Sequence, residues 1–111
     1  IDDMISSGES MLDVARKLKE RKAKRVIVCT TFGLFTDGLE KFDEYYEKEY
    51  IYRVITTNLN YRNPELLTRP YYLEADMSKY LASIMDILNH DLSVNKVRNT
   101  TKKINKLLKR C

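Results

Sequence analysis

Three short segments rich in β-branched and aromatic residues constrain the fold most: "RVIVCT" (25–30), "YIYRVITTN" (50–58) and "YYLEA" (71–75). Each reads as a strand, and stretches of helical spacing lie between and around them. "RVIVCT" alternates little, which predicts a strand covered on both sides. In the second strand Ile51, Val54 and Ile55 are the expected core contribution. Upstream, Met11, Val14, Ala15 and Leu18 recur at helical spacing, with Asp13, Arg16, Lys17 and Lys19 on other faces. Ser6, Ser7 and Ser10 are candidate N-caps for this helix, which should end within residues 21–24. Leu39, Phe42, Asp43 and Tyr46 suggest a second helix, and "LNYRNPELLTRP" reads as a connection punctuated by Pro64 and Pro70. A helix capped by Asp76 or Ser78 would carry Met77, Tyr80, Leu81, Ile84, Met85 and Leu88 on its apolar face, until "NHDLSVN" breaks it. The tail then sets Val97, Thr101, Ile104 and Leu108 on one stripe of a final helix. This order predicts an α/β fold, a mostly parallel sheet flanked by helices, in which ligands bind outside the carboxyl ends of the strands.

At 111 residues the chain is one small domain, and 43% hydrophobic residues suffice for a modest core. No apolar run approaches the ~18–20 residues of a membrane span, and no secretory signal pattern is present. Cys29 sits inside an apolar run and Cys111 ends the sequence, a placement that suggests neither a disulfide framework nor a metal motif. Cys29 reads as a buried small hydrophobe, and a reducing cytoplasm is the expected compartment. The net charge of +4 is unevenly distributed. Residues 95–111 carry seven Lys/Arg and no acid, so residues 1–94 hold 13 Lys/Arg against 16 Asp/Glu and are acidic by three. The basic character belongs to the tail, where it would attract phosphates, nucleic acid or an acidic neighbour.

The first ten residues, "IDDMISSGES", carry the chemistry. A loop entering a helix presents unpaired N–H groups at the positive end of the helix dipole, a ready site for phosphate. Gly8 permits close approach of the backbone, while Ser7 and Ser10 add hydroxyl donors. Asp2 and Asp3 stand just ahead, where carboxylates accept hydrogen bonds from hydroxyls. Phosphate donors a few residues from hydroxyl acceptors suit a sugar phosphate. An ordinary capped helix start accounts for the same spacing.

The segment resembles the phosphoribosyl-diphosphate-binding motif of type I phosphoribosyltransferase folds. An ordered set of further segments, "AKRVIVCT", "FGLFTDG", "VITTN" and "NHDLSVN", extends the resemblance to the ribose-phosphate diphosphokinases over roughly residues 1–95. That resemblance implies a partial type I phosphoribosyltransferase-like domain over residues 1–95, truncated at its N-terminus, with residues 96–111 as an extra basic C-terminal helix. It implies transfer of a diphosphate from Mg-ATP to ribose 5-phosphate, giving phosphoribosyl diphosphate and AMP, in a cytoplasmic homo-oligomer. By the same resemblance Asp2 and Asp3 would hold the ribose hydroxyls. Ser6, Ser7, Gly8, Glu9 and Ser10 would surround the 5-phosphate, and Ser93 would match a regulatory phosphate site. The family usually has an acid where Ser6 stands, generally a glycine at the position of Glu9, usually a His at that of Phe32 and, in many members, a second Ser where Asn95 stands. Its ATP-binding segment, catalytic basic loop and metal-binding His have no counterpart here. The expectation is therefore a C-terminal piece of a longer enzyme, inactive alone, with no metal site of its own and magnesium serving the full-length protein.

Other residues read more plainly. His90, the single histidine, lacks a companion at ligand or catalytic spacing and reads as a helix-end residue. Tyr45, Tyr46, Tyr50, Tyr52 and Tyr61 lie among acids that repel a polyanion, which points to packing or a subunit interface. The alternatives are a non-catalytic interaction or nucleic-acid-binding module using the basic tail, and another type I phosphoribosyltransferase. The tail stripe is narrow and lacks aromatics, which favours docking on protein over nucleic acid or a membrane surface.

Overall fold

In the computed structural model, residues 1–95 and 100–109 are described. Val97, Cys111 and the basic residues Lys96, Arg98 and Arg110 lie outside them. The chain divides into two compact units, Ile1–Asp76 and Met77–Cys111.

The first unit runs β1 (Asp2–Ile5), α1 (Glu9–Glu20), β2 (Ile27–Gly33), α2 (Glu40–Glu47), β3 (Arg53–Thr57), α3 (Pro64–Leu67) and β4 (Tyr72–Ala75). Its four strands are parallel and lie in the order β1-β2-β3-β4. The α/β reading with a parallel sheet and flanking helices therefore holds. Each crossover steps the same way along the sheet, and right-handed crossovers of that kind place their helices over one face. The core reflects this. Leu12 and Ala15 of α1, Leu39 and Phe42 at the start of α2, and Leu66 of α3 form one cluster with Val28, Val54 and Tyr72.

One-sided coverage corrects several expectations. β2 is not covered on both sides: Val28 and Thr30 are buried, whereas Ile27 is 50% exposed and Cys29 is half-buried. Cys29, Ile55 and Leu73 are register partners in a row on the opposite side of the sheet. Ile55 is accordingly half-buried rather than core. In α1 the buried face is Leu12 and Ala15, while Val14 and Leu18 are exposed. The connection after β3 contains a short helix, α3, with Pro64 in its first turn and Asn63 as N-cap, its side chain accepting from the Glu65 N–H at 3.0 Å.

Long-range polar contacts bind the helical layer together. Asp43 of α2 accepts from Arg69 Nε, at 2.9 and 3.1 Å to its two oxygens, and from the Tyr71 hydroxyl at 2.8 Å. Burial, then the Asp43 carboxylate, pushes the Tyr71 phenol above its ordinary pKa, so it stays a donor. α1 and α2 both end on residues in the left-handed conformation, Lys22 (φ +67°) and Glu49 (φ +58°). In each case the following N–H reaches back five residues, Ala23 to Leu18 O at 3.0 Å and Tyr50 to Tyr45 O at 2.8 Å. Glycine is the usual occupant of such a position because a Cβ is strained there.

The second unit contains α4 (Ser78–Asn89) and α5 (Thr101–Leu108). The N-cap of α4 is Met77, not Asp76 or Ser78. None of its residues is buried, although its apolar spacing is the most regular in the sequence. His90 is its C-cap, with Nδ1 2.9 Å from the Asp86 carbonyl oxygen, which agrees with the helix-end reading.

The left-handed helix ends give a stability test. Lys22→Gly and Glu49→Gly should each raise the unfolding free energy by about 1 kcal/mol in urea titrations. Phe42→Ala, which empties a fully buried site, should lower it by about 3–5 kcal/mol.

Candidate functional site

The carboxyl ends of the strands are where a parallel sheet exposes its loops, and the first of these loops holds the acid pair and the serines. Residues 2–5 belong to the segment that reads in the sequence as a loop entering a helix. They instead form β1, paired with β2 through Asp2↔Thr30, Met4↔Phe32 and Ile5↔Gly33. Pairing supplies partners for the backbone, and Ile5, 1% exposed, anchors the strand in the core. Asp2 and Asp3 are exposed neighbours in a strand, where successive side chains point to opposite faces. Asp2 Oδ1 also accepts the Asp3 N–H at 2.8 Å.

Ser6 and Ser7 follow in the turn, and Gly8 is the N-cap of α1, at φ +85°. The three candidate serine caps are thus displaced: the cap residue is glycine and makes no side-chain hydrogen bond. A Cβ at Gly8 would lie 2.3 Å from Phe42 Cζ, so the turn rests directly on that ring. The loop is also tied sideways. Leu34 N–H donates to Ile5 O at 2.8 Å, and Thr36 N–H to Ser6 O at 3.1 Å. The helix ladder begins with Leu12 N–H to Gly8 O at 2.9 Å. Among the described residues, the N–H groups of Glu9, Ser10 and Met11 take no acceptor and remain available at the positive end of the helix.

Glu9 does not lean into the turn unopposed. Its Oε1 pairs with Lys41 Nζ of α2, both side chains being more than half exposed. This hydrogen bond, and then the ammonium charge, hold the Glu9 carboxyl below its ordinary range, and the Lys41 pKa rises in turn. Sequence reasoning missed Lys41, which lies 32 residues away in an acid-rich helix. Other missed residues at this edge join neighbouring loops. Asn60 Nδ2 donates to Gly33 O and Tyr61 O, each at 2.9 Å. Thr57 Oγ1 donates to Thr31 O at 2.6 Å, and Asn58 Nδ2 to Asp76 Oδ1 at 2.8 Å. Arg62 pairs with Glu74 of β4. No local periodicity announces any of these pairings.

Phe32 and Met4, register partners, are 40% and 46% exposed, and Tyr61 is 83% exposed. The remaining tyrosines pack: Tyr46 against Tyr71, Tyr45 against Tyr50, and Tyr52 between Arg25 and Arg53. Ser93 is exposed after α4, and its Oγ accepts the Asn95 N–H at 3.4 Å. A cleft of about 510 Å³ lies elsewhere, at the amino ends of β2 and β3, where Lys19, Lys24 and Arg25 face Glu47 and Glu49. Among the described residues no three His, Cys, Asp or Glu side chains gather as a metal-binding group. The described residues at this edge offer no ligand set for the magnesium that the resemblance implies. No described helix is long and apolar enough to cross a membrane.

Acid titration tests the Glu9–Lys41 pair. A carboxyl with a depressed folded pKa contributes stability above its unfolded value, and loses it as pH falls through the folded value. The Glu9 side-chain carboxyl should therefore titrate by NMR below 4.5, its ordinary value, and return towards 4.5 in Lys41→Met.

No family model matches the chain. Three curated proteins do, each named ribose-phosphate pyrophosphokinase. That of Mycoplasmopsis pulmonis is 32% identical over 91 residues, covering 78% of this chain and 27% of its own length. That of Mycoplasma genitalium is 36% identical over 59 residues, covering 52% and 18%. The Thermosipho africanus protein is 33% identical over 63 residues, covering 57% and 19%. The matched stretches thus span about a quarter of these relatives or less. The resemblance carried by the motifs is borne out, and the chain is a relative of the ribose-phosphate pyrophosphokinases, similar to one part of them.

Proposed function

We propose that the turn from β1 into α1 binds ribose 5-phosphate, and that the chain contributes this site to an enzyme transferring diphosphate from Mg-ATP to that sugar. The observation that carries the reading is the glycine-capped start of α1. Gly8 brings the backbone close over Phe42, and the next N–H groups are left without acceptors. A phosphate dianion there would take hydrogen bonds from the Glu9 and Ser10 amides and from the Ser7 and Ser10 hydroxyls. The sugar would extend back along β1, whose exposed Asp2 and Asp3 carboxylates point to opposite faces, so that one of the two accepts from its hydroxyls. Ser6 offers a hydroxyl in place of a carboxylate, so it can still accept one hydrogen bond but adds no charge.

In this reading the chain's own contribution is positioning. A sugar held at both its phosphate and its hydroxyls presents its 1-hydroxyl in one orientation, which is what in-line phosphoryl transfer requires. Magnesium and ATP, when bound in the whole enzyme, would supply charge neutralisation and the transferred group. Assembly into a homo-oligomer and a regulatory phosphate contact at Ser93 belong to the same proposal and rest on the resemblance alone.

Calorimetric titration of the 111-residue chain with ribose 5-phosphate tests the site. The sugar phosphate should bind more tightly than ribose, and Ser7→Asp, which sets a carboxylate against the phosphate, should weaken binding at least tenfold. Equal binding by wild type and Ser7→Asp would remove this turn as the phosphate site.

A further inference from the structure

We propose that Lys41 is the cation of the phosphate turn and that Glu9 holds it in reserve, so that an incoming phosphate takes Lys41 by exchange. This rests on the ribose-phosphate reading and assigns that site a specificity residue from a different helix. The starting observation is a charge problem. Glu9 is the first residue of α1, beside the amide groups that would receive a dianion. A carboxylate there repels phosphate unless it is neutralised or turned away. It is neutralised by the Lys41 ammonium, which arrives from the first turn of α2.

The placement of Lys41 is fixed by packing rather than by the ion pair. Its neighbour Phe42 is fully buried, directly beneath Gly8, so the first turn of α2 is pinned against the turn before α1. The Lys41 side chain itself is free to move, being 51% exposed on a flexible stem, as is that of Glu9 at 65%. A rigid backbone carrying a mobile cation suits a contact that changes partner. Arg62 is more tightly held: it is paired with Glu74, and both of those side chains are about two-thirds buried or more. The cleft at the opposite end of the sheet offers no comparable arrangement, since its three cations share the space with two carboxylates.

Exchange has a definite consequence for affinity. A singly charged carboxylate competes with a dianion for one ammonium. Phosphate therefore gains a charge-assisted contact but leaves Glu9 unpaired at its side. Neutralising Glu9 should strengthen phosphate binding, and removing Lys41 should weaken it. A purely structural ion pair predicts neither effect on binding. Exchange further confines both effects to ribose 5-phosphate, because ribose lacks the group that Lys41 would contact.

The test is titration of the 111-residue chain, and of its Glu9→Gln, Lys41→Met and doubly substituted forms, with ribose 5-phosphate and with ribose. Circular dichroism confirms that each variant retains its helices. The expected result is binding of ribose 5-phosphate about tenfold tighter in Glu9→Gln and about tenfold weaker in Lys41→Met. The double variant should bind it more tightly than Lys41→Met, which leaves the Glu9 carboxylate unopposed, but less tightly than Glu9→Gln, and ribose binding should be unchanged throughout. Binding by Glu9→Gln but not by wild type also supports exchange. If all four proteins bind ribose 5-phosphate alike, or Glu9→Gln binds it no more tightly than wild type, exchange is overturned while the turn remains a phosphate site. If neither wild type nor Glu9→Gln binds it, the site reading and the exchange fall together.

Discussion

The packing of Gly8 on Phe42 is the contact on which the arrangement at the strand ends depends. A Cβ at Gly8 would meet the Phe42 ring at 2.3–2.6 Å, so only glycine lets the turn after β1 settle at this depth. Phe42 in turn meets Phe35 edge-on, with ring centroids 5.1 Å apart, a geometry that aromatic quadrupoles favour. Phe35 lies against Gly33, where a Cβ would come within 2.6 Å of the ring. Two glycines and two phenylalanines thus join the first two strand-end loops. They also set the start of α2 beside the start of α1, which is how residues 32 positions apart become neighbours.

The direction of the crossovers explains much of the rest. Because the strand order never reverses, α1, α2 and α3 share one core, and the row Cys29–Ile55–Leu73 lies on the other side of the sheet. β1 is an edge strand among the described residues, and it is short and acidic. Charges on an edge discourage pairing with another chain, so Asp2 and Asp3 have a structural effect whatever ligand they meet. The two roles are compatible, because an exposed edge carboxylate is also accessible to a sugar hydroxyl.

Charge at the strand ends is arranged in local pairs. Lys41 faces Glu9 and Arg62 faces Glu74. The edge therefore carries little excess positive charge with which to attract an anion from a distance. Recognition of a phosphate at such an edge depends instead on oriented amides, and on which ion pairs can open. An exposed pair such as Glu9–Lys41 contributes little to stability, which leaves it free to serve binding.

Much was legible in the sequence because it is local. The strand segments, the spacing of α1, α2 and α4, and the acid-pair motif each depend on residues a few positions apart, whose hydrogen-bonding and hydrophobic patterns operate within one element. The ordered motifs were enough to name the family that the comparisons support. What the sequence left open was which side of each element faces the core. Leu12 rather than Val14 is buried, Cys29 is only half-covered, and no residue of the regular apolar stripe of α4 is fully buried. It also gave no sign that residues 2–5 are a strand, that Gly8 rather than a serine caps α1, or that Lys41 reaches Glu9. Periodicity registers which residues share a face, but only the crossover direction and close packing at Gly8 and Gly33 decide what that face meets.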